Sequence, residues 1–91
     1  MKYQIVHARA SHIRTIAARM RKADRDEVAA SSGKSPLHAL SFSFRKSHYR
    51  WTVLIDGQPE IMFGVGDVNV LGGIGAPWLL ATDAVERVSR D

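Results

Sequence analysis

The residues that could do chemistry are four histidines and two clusters of acids. His7, His12, His38 and His48 are spread over the first 48 residues, and none stands three or four residues from another, as paired metal ligands on a helix would. His12 and His48 fall near expected helix ends, where capping or surface roles suit them. Asp24, Asp26 and Glu27 form a compact acidic group that would supply a general base if a cleft buried one carboxyl. The competing reading is helix capping and dipole compensation. The serines at 31, 32, 41 and 43 lie in no nucleophile-elbow pattern. No self-sufficient catalytic site emerges, and no metal site or resident cofactor is expected.

The glycines of Gly64-Val-Gly66 and Gly72-Gly-Ile-Gly75 invite a phosphate-loop reading, because backbone N–H groups in such loops cradle anions. The order of elements opposes it. Gly75 leads into Ala-Pro-Trp and a strand rather than a helix, and neither a Lys-Ser/Thr pair nor a dinucleotide fingerprint follows. Trp78 sits in an apolar stretch, so its indole N–H needs a buried acceptor.

The elements that would position these groups can be read from periodicity. Tyr3, Ile5 and His7 alternate with Gln4, Val6 and Ala8 as a short strand. Ser11 is a candidate cap for a helix whose Ile13, Ile16, Ala17 and Met20 fall on one stripe. Asp24 and Glu27 have capping-box spacing, and Ser31-Ser32-Gly33 ends the helix they open. Ser35 with Pro36 at the first helical position starts a third helix, with Leu37, Leu40 and Phe44 on its buried side. Tyr49, Trp51, Val53 and Ile55 then alternate with Arg50, Thr52 and Leu54 up to the turn pair Asp56-Gly57. A returning strand over 60–65, a Gly-rich loop over 69–75, a strand over 77–81 and a helix opened by Asp83 and Glu86 complete the chain. The order is β-α-α-α-β-β-β-α: a single α+β domain over 1–91, with a mainly antiparallel sheet packed against helices.

Ninety-one residues allow one small core. The absence of cysteine removes disulfides, thiol nucleophiles and thiolate metal sites, and suits a reducing compartment. No apolar run reaches the roughly 20 residues of a membrane-spanning helix, so no membrane partner is expected. The net charge of +4 is unevenly placed. Residues 1–50 carry eleven Lys and Arg against Asp24, Asp26 and Glu27, a net +8, and residues 51–91 carry Arg87 and Arg90 against six acids, a net −4. Arg14, Arg21, Lys22 and Arg25, with Arg19, Arg45, Lys46 and Arg50, are the candidates for a nucleic-acid contact. The alternative is that amphipathic helices wear cations on their wet side.

Several stretches carry a family resemblance. Arg21-Lys-Ala-Asp24-Arg-Asp-Glu27-Val, Ser35-Pro36-Leu-His-Ala-Leu40, Phe63-Gly-Val65 and above all Gly75-Ala-Pro-Trp78-Leu-Leu-Ala-Thr82-Asp83 resemble the bacteriophage proteins labelled internal virion protein A or phage acetyltransferase-like. That resemblance spans almost the whole chain and implies the N-terminal half of a GNAT-like acetyltransferase fold. It further implies that Leu79, Leu80, Ala81 and Thr82 lie on the fourth strand, whose backbone meets the pantetheine arm of acetyl-CoA in true acetyltransferases. This sequence departs from the pattern. The Gln/Arg-x-x-Gly-x-Gly/Ala loop that grips the diphosphate is replaced by Thr82-Asp83-Ala-Val-Glu86-Arg87, and the half that normally carries the tyrosine acid has no counterpart within these residues. Two acids where a diphosphate should sit would repel it.

The expected function is therefore a phage or prophage structural or assembly protein, located in the virion or host cytoplasm. It would use a catalytically incomplete acetyltransferase-like fold for contacts with itself or with other virion proteins. Trp78, Leu79 and Leu80 are the expected interface, as an apolar strand edge with unpaired backbone groups. The alternatives are an N-acyltransferase whose acetyl-CoA site another chain completes, and a nucleic-acid-binding module using the basic half.

Overall fold

The computed structural model describes residues 2–69 and 74–86. Strand β1 (Tyr3–His7) is followed by helices α1 (Ala10–Ala18), α2 (Lys22–Ser32) and α3 (Pro36–Lys46), then by strands β2 (Ser47–Ile55), β3 (Gln58–Asn69) and β4 (Ile74–Ala81). The strands form one antiparallel sheet in the order β1-β2-β3-β4. The architecture is α+β, as the periodicity predicts. Residues 84–86 make a helical turn after β4; the continuation of the expected last helix, and residues 70–73 of the expected Gly-rich loop, lie outside the described residues.

Local chemistry explains the boundaries. Asp56 and Gly57 both have positive φ, at 51° and 83°, which a two-residue turn of the primed type requires between β2 and β3. Gly33 takes a left-handed conformation and ends α2. The Ser35 hydroxyl accepts the His38 N–H at 3.2 Å, with Pro36 occupying the first turn of α3.

Two caps differ from expectation. At α1 the cap position is Arg9, whose N–H donates to His12 Nδ1 at 3.1 Å, so the imidazole does the work assigned to Ser11. At α2 the cap position is Arg21, and Asp24 is drawn away to β4. Strand lengths differ as well: β3 runs through Gly64 and Gly66, and β4 begins at Ile74 rather than Pro77.

The core lies on one face of the sheet. Ile13, Ile16 and Ala17 of α1 meet Leu40 of α3 and Met62 of β3, with Ala8, Phe44, Trp78 and Leu80 packed against them. Met20 completes the predicted α1 stripe as a buried residue. Leu37 does not join the core; it is exposed at the start of α3. Trp78 lies over Gly64, where any Cβ would collide with the Tyr49 carbonyl oxygen and crowd the indole. The indole N–H donates to Ser47 Oγ at 2.7 Å, which supplies the buried acceptor it needs.

Candidate interaction site

Cross-strand register sorts the sheet residues into two sets, because residues opposite one another share a face. The helix-covered set includes Val6, Thr52, Met62 and Leu80 in one row, and Arg50, Gly64 and Trp78 in the next. The second set runs through His7, Trp51, Phe63 and Leu79, flanked by Ile5, Val53, Ile61 and Ala81 on one side and by Tyr49, Val65 and Pro77 on the other. None of the three helices packs on this second face.

That bare face is apolar. Ile5 is 67% exposed, Tyr49 66% and Leu79 47%, around the half-buried Trp51 and Phe63. The Tyr49 and Trp51 rings lie 6.3 Å apart and near parallel, and the Trp51 and Phe63 rings 5.5 Å apart. These contacts place Tyr49, Trp51 and Phe63 together as an aromatic strip across two strands. His7 is the one histidine in the three rows. Toward the turn end, Ile55, Ile61 and Ala81 are buried, as is Ala84 of the following helical turn.

The acids and histidines go to structural bonds instead. Asp24 is buried; its Oδ2 accepts the Ala81 N–H at 2.9 Å and lies 3.0 Å from Arg21 Nε, whose N–H direction misses hydrogen-bond geometry. Glu60, 3% exposed, receives Arg19 Nη1 at 2.7 Å and the Thr82 hydroxyl at 2.9 Å. Thr82 Oγ1 also accepts the Ala84 N–H at 3.2 Å, so Thr82 rather than Asp83 caps the last helical turn. His12 Nδ1 accepts the Arg9 N–H and lies 2.8 Å from Thr52 Oγ1. Burial, and then the Arg9 charge, lower its pKa from the ordinary 6.5 and keep the ring neutral. Among the described residues no group of His, Asp or Glu converges as a metal cluster, and no helix is long and apolar enough to cross a membrane.

The candidate nucleic-acid cations are dispersed. Arg19 is held by Glu60, Arg21 by Asp24, and Lys22 by Asp26 at 2.6 Å. The Arg50 guanidinium binds the Phe44 and Ser47 carbonyl oxygens and lies over the Phe44 ring. Arg45 donates to the Ser41 carbonyl, and Lys46 lies near the Phe42 ring. Arg14 and Arg25 are exposed on different helices.

The β4 residues singled out for acetyl-CoA are also committed. Thr82 N–H bonds the Glu60 carbonyl, which fixes the alternation: Trp78, Leu80 and Thr82 turn their peptide groups toward β3, and Pro77, Leu79 and Ala81 turn theirs outward. Ala81 N–H is taken by Asp24, and its C=O accepts the Arg21 N–H at 2.8 Å. Pro77 has no N–H. Of the four, only Leu79 offers an outward N–H and C=O without a partner among the described residues. With Asp83 and Glu86 exposed just beyond, these residues do not fit a pantetheine arm and its diphosphate.

The expected interface is therefore split. Leu79 belongs to the bare face, and Trp78 and Leu80 pack into the core. They also wall a groove of about 740 Å³ between β4 and helices α2 and α3, together with Val28 and Phe42. What sequence reasoning missed is the bare face itself, although its members Tyr49, Trp51 and Val53 were visible as one alternating set. No protein-family model, curated protein or solved structure matches this chain.

Proposed function

We propose that this chain is an assembly protein: a GNAT-like half-fold of the phage virion type, whose copies meet through the bare sheet face. The observation that supports it most is that face, an apolar surface with an aromatic strip and no Asp, Glu, Lys or Arg side chain in its three rows. Interface cores are depleted of charge and enriched in aromatics, which is the composition found here. A chain of net charge +4 repels its own copies over most of its surface. A two-fold contact places each patch against itself, so the neutral face is where that repulsion is least. The aliphatic residues Ile5, Val53, Val65 and Leu79 favour a protein partner over a nucleic acid, which would need cations among the rings.

Sedimentation velocity over about 10–200 μM, where weak protein contacts fall, tests this reading. Association is expected to strengthen with salt and to weaken in the Tyr49→Lys/Leu79→Lys double variant, which removes the part carried by the face, with the fold retained. A strictly monomeric protein contradicts the proposal. So does binding to a single-stranded oligonucleotide that weakens steeply with salt.

A further inference from the structure

The two edges of the sheet are not equivalent. β4 is guarded, by Pro77 in its middle and by the Arg21 and Asp24 partners of Ala81 at its end. β1 has no such guard. Asp56 N–H bonds the Lys2 carbonyl at 2.8 Å, and Ala8 N–H bonds the Arg50 carbonyl at 3.2 Å. These two bonds fix which peptide groups face β2: those of Lys2, Gln4, Val6 and Ala8. Those of Tyr3, Ile5 and His7 therefore point away from the sheet, and among the described residues no element lies along that edge. The strand contains no proline and pairs with β2 in unbroken register, so neither a proline nor a bulge blunts this edge.

The geometry points to β1 as the site where a second copy of this chain adds, antiparallel, about a two-fold axis at Val6. In that register Ile5 and the partner's His7 exchange both N–H···O=C bonds, and His7 and the partner's Ile5 do the same. The edge is self-complementary about Val6, which sets Ile5 against His7 and leaves Tyr3 opposite Arg9. Pairing ends naturally beyond Ile5 and His7: the next N–H, that of Arg9, is already on His12 Nδ1. The product is one eight-stranded sheet. Its bare faces join side by side into a single apolar surface twice as wide, on the side away from the helices. This inference concerns the edge, not the face, and stands or falls separately from the assembly proposal.

Two variants separate the two. Ile5→Pro removes a donor that points away from β2, leaves the β1–β2 ladder its own bonds, and blocks edge pairing. Because Ile5 also lies on the bare face, it is compared with Ile5→Ala, which trims the same side chain and keeps the donor. Tyr49→Lys/Leu79→Lys alters the face and leaves the β1 backbone untouched. Edge pairing predicts a dimer in the face variant and at least about a tenfold weaker dimer in Ile5→Pro, which is about 1.4 kcal/mol. If Ile5→Pro associates like the wild type, the edge inference is wrong. A second measurement needs no variant: hydrogen exchange at the Ile5 and His7 amides of the wild-type protein. Both should become protected as concentration rises, and the Leu79 amide should not follow them. Concentration-independent exchange at Ile5 and His7 overturns the inference.

Discussion

The two faces of this sheet come from the same strands, one residue apart, yet they meet opposite fates. On one face Met62 and Leu80 are sealed under α1 and α3, and even a threonine, Thr52, is fully buried because His12 satisfies its hydroxyl. On the other face Trp51, Phe63 and Tyr49 line up with no helix over them among the described residues. Burial here does not follow hydrophobicity residue by residue. It follows which side the helices took, and the larger apolar side chains of β2 were left outside. Exposed apolar surface of that kind commonly marks an interaction site.

The contrast can be broken most severely from the covered side. Leu40→Ala or Ile16→Ala removes a fully buried side chain and should cost about 2–5 kcal/mol, enough to unfold most of a domain this small. Urea titration would show it as a fall in the midpoint. Tyr49→Ala on the bare face should change monomer stability by no more than about 0.5 kcal/mol. Equal losses at the two positions would mean that the faces are not distinct.

A smaller loss is expected where polar groups lock the sheet to the helices. Asp24→Ala leaves the Ala81 N–H and the Arg21 guanidinium without their shared carboxylate, at a cost of about 1–3 kcal/mol. If Asp24 were instead a general base with no structural duty, its removal would leave thermal stability unchanged.

His12 gives the covered face a pH dependence. Its folded pKa is depressed, so the unfolded chain binds more protons between that value and 6.5. The contribution is complete above pH 6.5 and is lost as pH falls through the folded value. Thermal unfolding should show the midpoint dropping on acidification through this window, and His12→Gln should flatten that part of the profile. A midpoint rising on acidification would reverse the assignment of the neutral ring. The smallest expected signal is from acetyl-CoA: with Ala81 and Thr82 already bonded and only Leu79 of the four residues keeping an outward peptide group, titration calorimetry at about millimolar ligand, the weakest range of specific binding, should give no binding heat.

The legible parts of this fold were those decided within a few residues. The α1 stripe, the Ser35-Pro36 start of α3 and the Asp56-Gly57 turn each follow from local stereochemistry and stand in the structure as read. The errors came where distant partners intervened. Asp24 looked like a cap, but its carboxylate serves Ala81, 57 residues along the chain. Ser11 lost the α1 cap to His12, whose ring is also anchored by Thr52 on β2. The β4 edge looked open because alternation alone does not reveal that Arg21 and Asp24 close it. The bare face was half legible: the period-two pattern of β2 defines two faces, but nothing in it says which one the helices will cover.

The claim that the uncovered face meets a protein is tested most directly by the heat of dissociation on dilution, measured at several temperatures. Burial of an apolar, uncharged surface predicts an association enthalpy that grows steadily more negative with temperature, and loss of that slope in Tyr49→Lys/Leu79→Lys. An association heat that does not vary with temperature, or one equally present in the double variant, would contradict the account.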